Sequence, residues 1–262
     1  MDGLMLSRLK LIFLCGLFLI ASGRVAAQNN WEEDSILNTV LLKKQFSGGL
    51  VLHNLGMGLQ FRKGKNVTYF RTFLWEVQAV SMKSPKQVRI INPYFSNARS
   101  YVYGKLNHVY MLRGGVGFDH LLNRKPAWGG VEVRVLYFAG LSVAITKPIY
   151  LYILNFYSPD YDYTIDAEKY DPEKHFLDNI YGRAPFSMGL NQIRFYPGLY
   201  GKFGFNFEFG EYNSRIKSLE VGGILEFFPI GIPIMAFQDE QEIFPTLYLT
   251  FSLGKRYNRL GK

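Results

Sequence analysis

The chain contains one cysteine, Cys15, and only three tryptophans in 262 residues. Cys15 lies inside an unbroken apolar run, Leu11 to Ile20, which follows Arg8 and Lys10 and leads through small residues to Val25-Ala26-Ala27. This is the three-part layout of a secretory signal peptide with Ala27 as its last residue. The run is about half the ~20 residues that a membrane-spanning helix needs. Leu14, before the cysteine, is not small, which argues against a lipoprotein signal. Removal of residues 1–27 leaves no cysteine, so disulfides and thiolate metal sites are excluded from the exported chain. No later stretch reaches 18 consecutive apolar residues, so no transmembrane helix follows.

Several chemical signatures are missing too. No Gly-x-x-x-x-Gly-Lys-Ser/Thr phosphate loop, dinucleotide fingerprint, metal-spaced histidine pair or Gly-x-Ser-x-Gly elbow occurs. Gly114-Gly115-x-Gly117 is read as a barrel turn, because no helix opens after it. The histidines are His53, His108, His120 and His175. A lipid-directed deacylase needs a serine beside its histidine, but Tyr110 stands two residues after His108 and Leu55 two after His53. No catalytic, cofactor-binding or metal-ligating residue is assigned, and His108 is the one candidate base for a lipid-modifying enzyme.

What the chain does have is 22 Phe, 18 Tyr and 26 Gly at a mean hydropathy near zero, a composition that favours strands and tight turns over a helical bundle. Its net charge of +9 falls by two when Arg8, Lys10, Arg24 and Asp2 leave with the signal peptide. An exported basic protein points to lipid phosphate or cell wall and away from nucleic acid.

Period two runs through the remainder. Leu50 to Arg62, Val67 to Val80, Tyr101 to Arg113, Arg194 to Phe209, Ile216 to Phe228 and Phe244 to Lys255 each alternate apolar with polar or glycine residues, and Gly129 to Leu154 is split near Gly140 into two further strands. A soluble sandwich shares that period, so the second face decides. It carries Gln60, Glu76, Lys105, Asn107, Glu132, Arg134, Lys202, Asn206, Glu208 and Glu220, a few charges of mixed sign per strand, as a narrow lumen requires. The expected fold is all-β, an antiparallel transmembrane β-barrel of about eight strands, with ten possible. Tyr69, Tyr101, Tyr110, Tyr137, Tyr150, Phe195 and Tyr196 are candidates for interfacial girdles.

The expected organisation is a signal peptide (1–27), an N-terminal periplasmic extension (28–46), the outer-membrane barrel (47–257) and a C-terminal tail (258–262). With both termini periplasmic, Lys63 to Asn66, Gly114 to Trp128, Asn155 to Gly189 and Pro229 to Ile243 are placed outside, and Ser81 to Ser100, the Gly140 turn and Gly210 to Arg215 inside. Segment 155–189 is acidic. Its Asp160, Asp162 and Asp166 lack the glycine and terminal Glu of an EF-hand, so a solvated loop is expected. Two basic clusters, Arg62, Lys63, Lys65 and Arg71, and Lys83, Lys86, Arg89 and Arg99, are expected at charged rims able to meet lipid phosphate or a partner.

Ser47-Gly48-Gly49-Leu50, Gly64-Lys65-Asn66, Ile91-Asn92-Pro93-Tyr94, Gly129-Gly130-Val131-Glu132-Val133-Arg134 and Lys147-Pro148-Ile149-Tyr150-Leu151 give the chain a resemblance, over most of its length, to the uncharacterised outer-membrane β-barrel proteins of Bacteroidetes-type Gram-negative bacteria. The resemblance implies an outer-membrane location and a single barrel. It transfers no activity and no functional residues. Such barrels often end on an aromatic residue, whereas here Tyr257 is followed by Asn258-Arg259-Leu260-Gly261-Lys262. The expected function is a non-enzymatic structural or assembly component of the envelope or of a secretion complex, with a small channel and a His108 lipid-modifying enzyme as alternatives. Expected partners are outer-membrane lipid, including lipopolysaccharide phosphates, and envelope or secretion-complex proteins, with no nucleic acid and no cofactor.

Overall fold

The structure, a computed structural model, describes residues 42–95, 97–124, 130–156, 163–209 and 214–257. The expected signal peptide, most of the N-terminal extension, the tail 258–262, Asp160 and Asp162 lie outside the described residues. In chain order the strands are β1 (Lys44–His53), β2 (Gly56–Asn66), β3 (Arg71–Met82), β4 (Arg89–Ile90), β5 (Tyr101–Val102), β6 (Asn107–Asn123), β7 (Glu132–Pro148), β8 (Tyr150–Phe156), β9 (Tyr163–Lys169), β10 (Ile180–Arg183), β11 (Arg194–Glu208), β12 (Arg215–Ile232) and β13 (Gln241–Tyr257). Eight of them close a barrel in the order β1-β13-β12-β11-β7-β6-β3-β2, every neighbouring pair antiparallel. Closure through β1 and β13 leaves the wall no free edge, the condition for burying a sheet in lipid.

The wall is inverted relative to a soluble protein. Outward positions carry Leu50, Leu59, Phe61, Trp75, Val77, Leu112, Leu141, Leu199, Phe203, Leu225, Leu247 and Leu253, all more than two-fifths exposed. Inward positions carry Gln60, Arg62, Glu76, Gln78, Arg113, Lys202, Glu220 and Glu226, all buried. Water would not tolerate the first set around a full circumference, whereas hydrocarbon favours it. The expected eight-stranded barrel with a filled, charge-paired lumen is what the structure has.

Two strand assignments change, and the count survives because they cancel. Leu50 to Arg62 is a hairpin, with Asn54-Leu55 joining β1 to β2. The inward parity passes from odd (Val51) to even (Gln60, Arg62) across it, which no continuous strand can do. Glu132 to Pro148 is a single strand. Gly140 lies at its middle, where a Cβ would sit 2.2 Å from the Gly114 carbonyl of β6, so the glycine marks a close approach of backbones and not a turn. Gly114, Gly115 and Gly117 are likewise mid-strand. A Cβ on Gly115 would meet the Tyr200 hydroxyl at 2.5 Å, and one on Gly117 the Phe138 ring at 2.6 Å. Gly115 and Gly117 make room for large inward rings in a narrow bore, whereas a Cβ on Gly114 would meet nothing within 4 Å.

The connections move accordingly. One end of the barrel holds Lys44, Tyr257 and the connections 67–70, 124–131 and 209–214; the other holds the Asn54-Leu55 turn, 83–106, 149–193 and 233–240. Residues 81–100 therefore belong with the other long connections. Lys63 to Asn66 are within β2, and the stretch from Gly114 is within β6. The redrawn ends show the short-turn, long-loop asymmetry of membrane barrels more cleanly than the expected assignment did.

Near the terminus end the outward aromatics touch one another: Phe73 and Phe118 with ring centroids 5.4 Å apart, Phe118 and Tyr137 at 5.9 Å, and Phe46 and Tyr257 at 6.0 Å. Of the girdle candidates, Tyr110, Tyr137 and Phe195 face outward and exposed. Tyr101 is buried beneath the loops instead, and Tyr196 turns inward against the apolar cluster of the lumen.

Candidate functional site

Within the bore, side chains form layers along the axis. Nearest the termini, Arg256 donates to Glu208 (2.5 and 2.7 Å) and to Gln45 (3.2 Å), while Arg134 pairs with Glu132 and lies 3.8 Å from Asp119. At mid-height, Arg62 donates to Glu76 (2.6 Å) and to Glu220 (2.5 and 3.0 Å); Lys202 lies 3.0 Å from Glu76 and 2.9 Å from Glu220. The Phe138 ring stands 4.9 Å from the Arg62 guanidinium, and the Tyr248 ring 4.5 Å from the Lys202 ammonium. Above them, Arg113 forks onto Glu226 (3.0 and 2.7 Å) and donates to Gln78 (3.1 Å), and Ser142 donates to Glu226 at 2.7 Å.

The layer nearest the loops is apolar: Val51, Val80, Met82, Val109, Met111, Phe228, Phe244 and Ile232, with Phe228 and Phe244 edge to face at 5.7 Å. Charge matched inside a bore this narrow fills the space an ion would need, and the apolar layer adds a desolvation barrier above it. Of the residues expected on the inner face, Gln60, Glu76, Arg134, Lys202, Asn206, Glu208 and Glu220 are inside and Glu132 joins Arg134. Lys105 and Asn107 belong instead to the loop end. Arg62, expected at a basic rim, is within the bore because β2 runs on to Asn66 and holds it on the same inward face as Gln60.

Over the loop end lies a folded cap. The three-stranded sheet β10-β8-β9 and the ribbon β4-β5 share a second apolar core of Tyr101, Ile149, Leu151, Ile153, Tyr170 and Ile180. Asn92 ties the two by donating to the Ile180 carbonyl at 2.8 Å. Segment 155–189 is thus not simply a solvated loop, since β9 and β10 lie within it. The signal was present in the alternation of Leu151 and Ile153 with Tyr150 and Tyr152, obscured by merging it with the preceding strand. Asp166 accepts from Thr164 at 2.8 Å and Asn155 at 3.2 Å. The Glu173 backbone N–H holds the Asp171 carboxyl below its usual range.

The four histidines are scattered. His53 accepts from the Leu55 backbone at the hairpin (3.3 Å). His120 stacks on Tyr137 near the terminus end. His175 is buried in the cap; its Nδ1 accepts from the Asp171 N–H at 3.0 Å, which leaves the proton on Nε2, 3.3 Å from Glu168. His108 packs against Phe186 at 6.0 Å. Among the described residues no three His, Cys, Asp or Glu side chains converge as a metal site would need.

His108 also lines a cavity of about 570 Å³ at the rim, between the 83–106 connection and the tops of β3 and β6. Lys83, Arg89, Lys105 and Arg183 share that lining, and no Asp or Glu does. Lys105 is buried, with its Nζ 3.0 Å from the Gln87 side-chain oxygen. Burial, and then the charges of Lys83 and Arg89, push its ammonium down to about 8.

No family model matches the chain, and no curated protein is similar to it in sequence. Two solved structures are similar in architecture. Neisserial surface protein A is 7% identical over 82% of this chain and 97% of its own, with a TM-score of 0.39. Ail, the attachment invasion locus protein of Yersinia pestis, is 8% identical over 82% and 99%, with a TM-score of 0.38.

Proposed function

We propose that this protein is a non-enzymatic outer-membrane β-barrel, held with its termini in the periplasm, that acts as a structural or assembly component by presenting the folded cap to an envelope or secretion-complex partner. The observation that carries this reading is the bore. Its ion pairs and apolar layer fill the space through which solute would pass, while the circumference is apolar. The small-channel alternative is disfavoured by the same filling. The lipid-modifying alternative requires a serine activated by His108; Ser81, Ser84 and Ser100 share the cavity lining with that ring, but among the described residues none of them is hydrogen-bonded to it, and Ser81 donates to the Met57 carbonyl at 3.0 Å instead. The cap supplies a surface with its own core, which a barrel needing only to sit in a membrane would not require. The apolar belt and the signal-like N-terminus support the outer-membrane location. Cell fractionation tests this reading: the protein is expected in the outer-membrane fraction with heat-modifiable gel migration. Recovery in the soluble fraction with no migration change would overturn it.

A further inference from the structure

The rim cavity has a composition that the barrel does not need. Lys83, Arg89 and Arg183 are exposed, Lys105 is buried, and all four line one concavity with no carboxylate among its walls. None of the four is ion-paired with an acidic group among the described residues. Within the bore the protein matches its cations closely, with Arg62, Arg113, Arg134, Lys202 and Arg256 each on a carboxylate, whereas Lys147, buried at the loop end, has only the Pro148 carbonyl and the Phe186 ring. Gathering four like charges without a counter-ion costs stability, and a bound anion removes that cost.

The cavity's position narrows the anion further. Its lining includes Met82 and Val109 from the inner face, but also Ser81 and Tyr110, a cross-strand pair on the outer face. The cavity therefore opens over the rim onto the flank of the barrel. Below it, on the outward side of β3 and β6, Tyr110, Leu112, Val77, Val116 and Trp75 form a continuous exposed apolar strip. The β1-β2 turn, Asn54 to Gly56, forms another wall and is low: Asn54 bonds to Leu247 of β13, and the first six residues of that strand, Gln241 to Thr246, extend past it. Access is thus from the level where head groups meet acyl chains, with cations above and apolar surface beneath.

We propose that this cavity binds the phosphate-bearing head group of an anionic lipid of the outer leaflet, with Lys83, Arg89, Lys105 and Arg183 on the phosphate and the acyl chain along the β3-β6 flank. The inference rests on reading the apolar belt as bilayer-facing. The test uses the full chain refolded into zwitterionic phosphatidylcholine vesicles, titrated with short-chain phosphatidic acid, short-chain phosphatidylcholine and inorganic phosphate. Saturable one-to-one binding of the phosphatidic acid alone is expected. A cation near a membrane surface contributes roughly fivefold in affinity, so the triple variant Lys83→Gln/Arg89→Gln/Arg183→Gln should bind on the order of 100-fold more weakly. All three positions are exposed, so folding should persist. Lys174→Gln, a cation of the cap outside the cavity, should change affinity less than twofold. Equal binding of inorganic phosphate would overturn the lipid assignment, and undiminished binding by the triple variant would overturn the site. A chain that folds and inserts but binds no anion refutes the inference alone; a chain that fails to insert refutes the barrel reading beneath it.

Discussion

Replacing Arg113 by methionine should be among the most damaging changes available inside the bore. The side chain is fully buried, makes two hydrogen bonds to Glu226 and one to Gln78, and among the described residues is ion-paired with Glu226 alone. Methionine preserves much of the volume but leaves the buried Glu226 carboxylate with only the Ser142 hydroxyl. Removing one member of a buried pair costs about 3–5 kcal/mol, because the survivor keeps its desolvation penalty without the compensating charge. Replacing both members removes that penalty, so Arg113→Met/Glu226→Gln should return to within about 1–2 kcal/mol of the parent. Urea unfolding of the vesicle-embedded protein, followed by tryptophan fluorescence, measures all four corners of the cycle. A single-variant cost below about 1 kcal/mol, or a double variant as damaged as the sum of the singles, would refute the claim that this pair is desolvated and coupled.

Other consequences are separable. Gly140→Val should block refolding, since its Cβ would lie 2.2 Å from the Gly114 carbonyl, while Gly201→Ala, where a Cβ meets nothing within 4 Å, should refold normally; equal refolding yields would contradict the mid-strand placement of Gly140. Ile180→Ala removes a fully buried side chain of the cap core and should cost about 2–5 kcal/mol locally, read as faster proteolysis of segment 149–193 while heat-modifiable migration persists. Anion affinity at the rim should fall by roughly fivefold in total as pH rises through about 8, as Lys105 loses its proton with Lys83, Arg89, His108 and Arg183 around it. In the absence of ligand the sign reverses. A lysine held below its usual range binds fewer protons folded than unfolded, so its contribution favours folding increasingly from about pH 8 up to the ordinary lysine range of ~10.4, measured by urea titration at stepped pH.

The barrel itself was legible in the sequence because alternation with mixed charge on one face has few other physical meanings. Arg194 to Phe209 shows this best: its inward Lys202, Asn206 and Glu208 and outward Phe203 and Phe205 lie where period two places them. Where the reading failed, glycine was the reason. Gly140 and Gly115 resemble turn residues locally, but in a narrow bore they are dictated by a neighbouring strand or by the Tyr200 ring, information that resides about 25 to 85 positions away. The true turn, Asn54-Leu55, carries weaker turn chemistry and was hidden because apolar residues continue on both sides of it. The cap was illegible for a related reason. Its core joins Tyr101 from one connection to Leu151 and Ile180, about 30 residues apart in another, a contact that no local pattern reveals. The cationic cavity has the same origin, since only the cap brings Arg183 beside Lys83, Arg89 and Lys105.

The claim on which the account turns is that the bore is sealed, and single-channel recording in a planar bilayer tests it most directly. The refolded protein should insert without stable conductance steps at moderate voltage. Phe228→Ala/Phe244→Ala with Arg113→Ala and Glu226→Ala, which removes the apolar layer and the ion pair beneath it, should introduce measurable steps. Large, stable conductance from the unaltered chain would contradict the account and make the protein a channel.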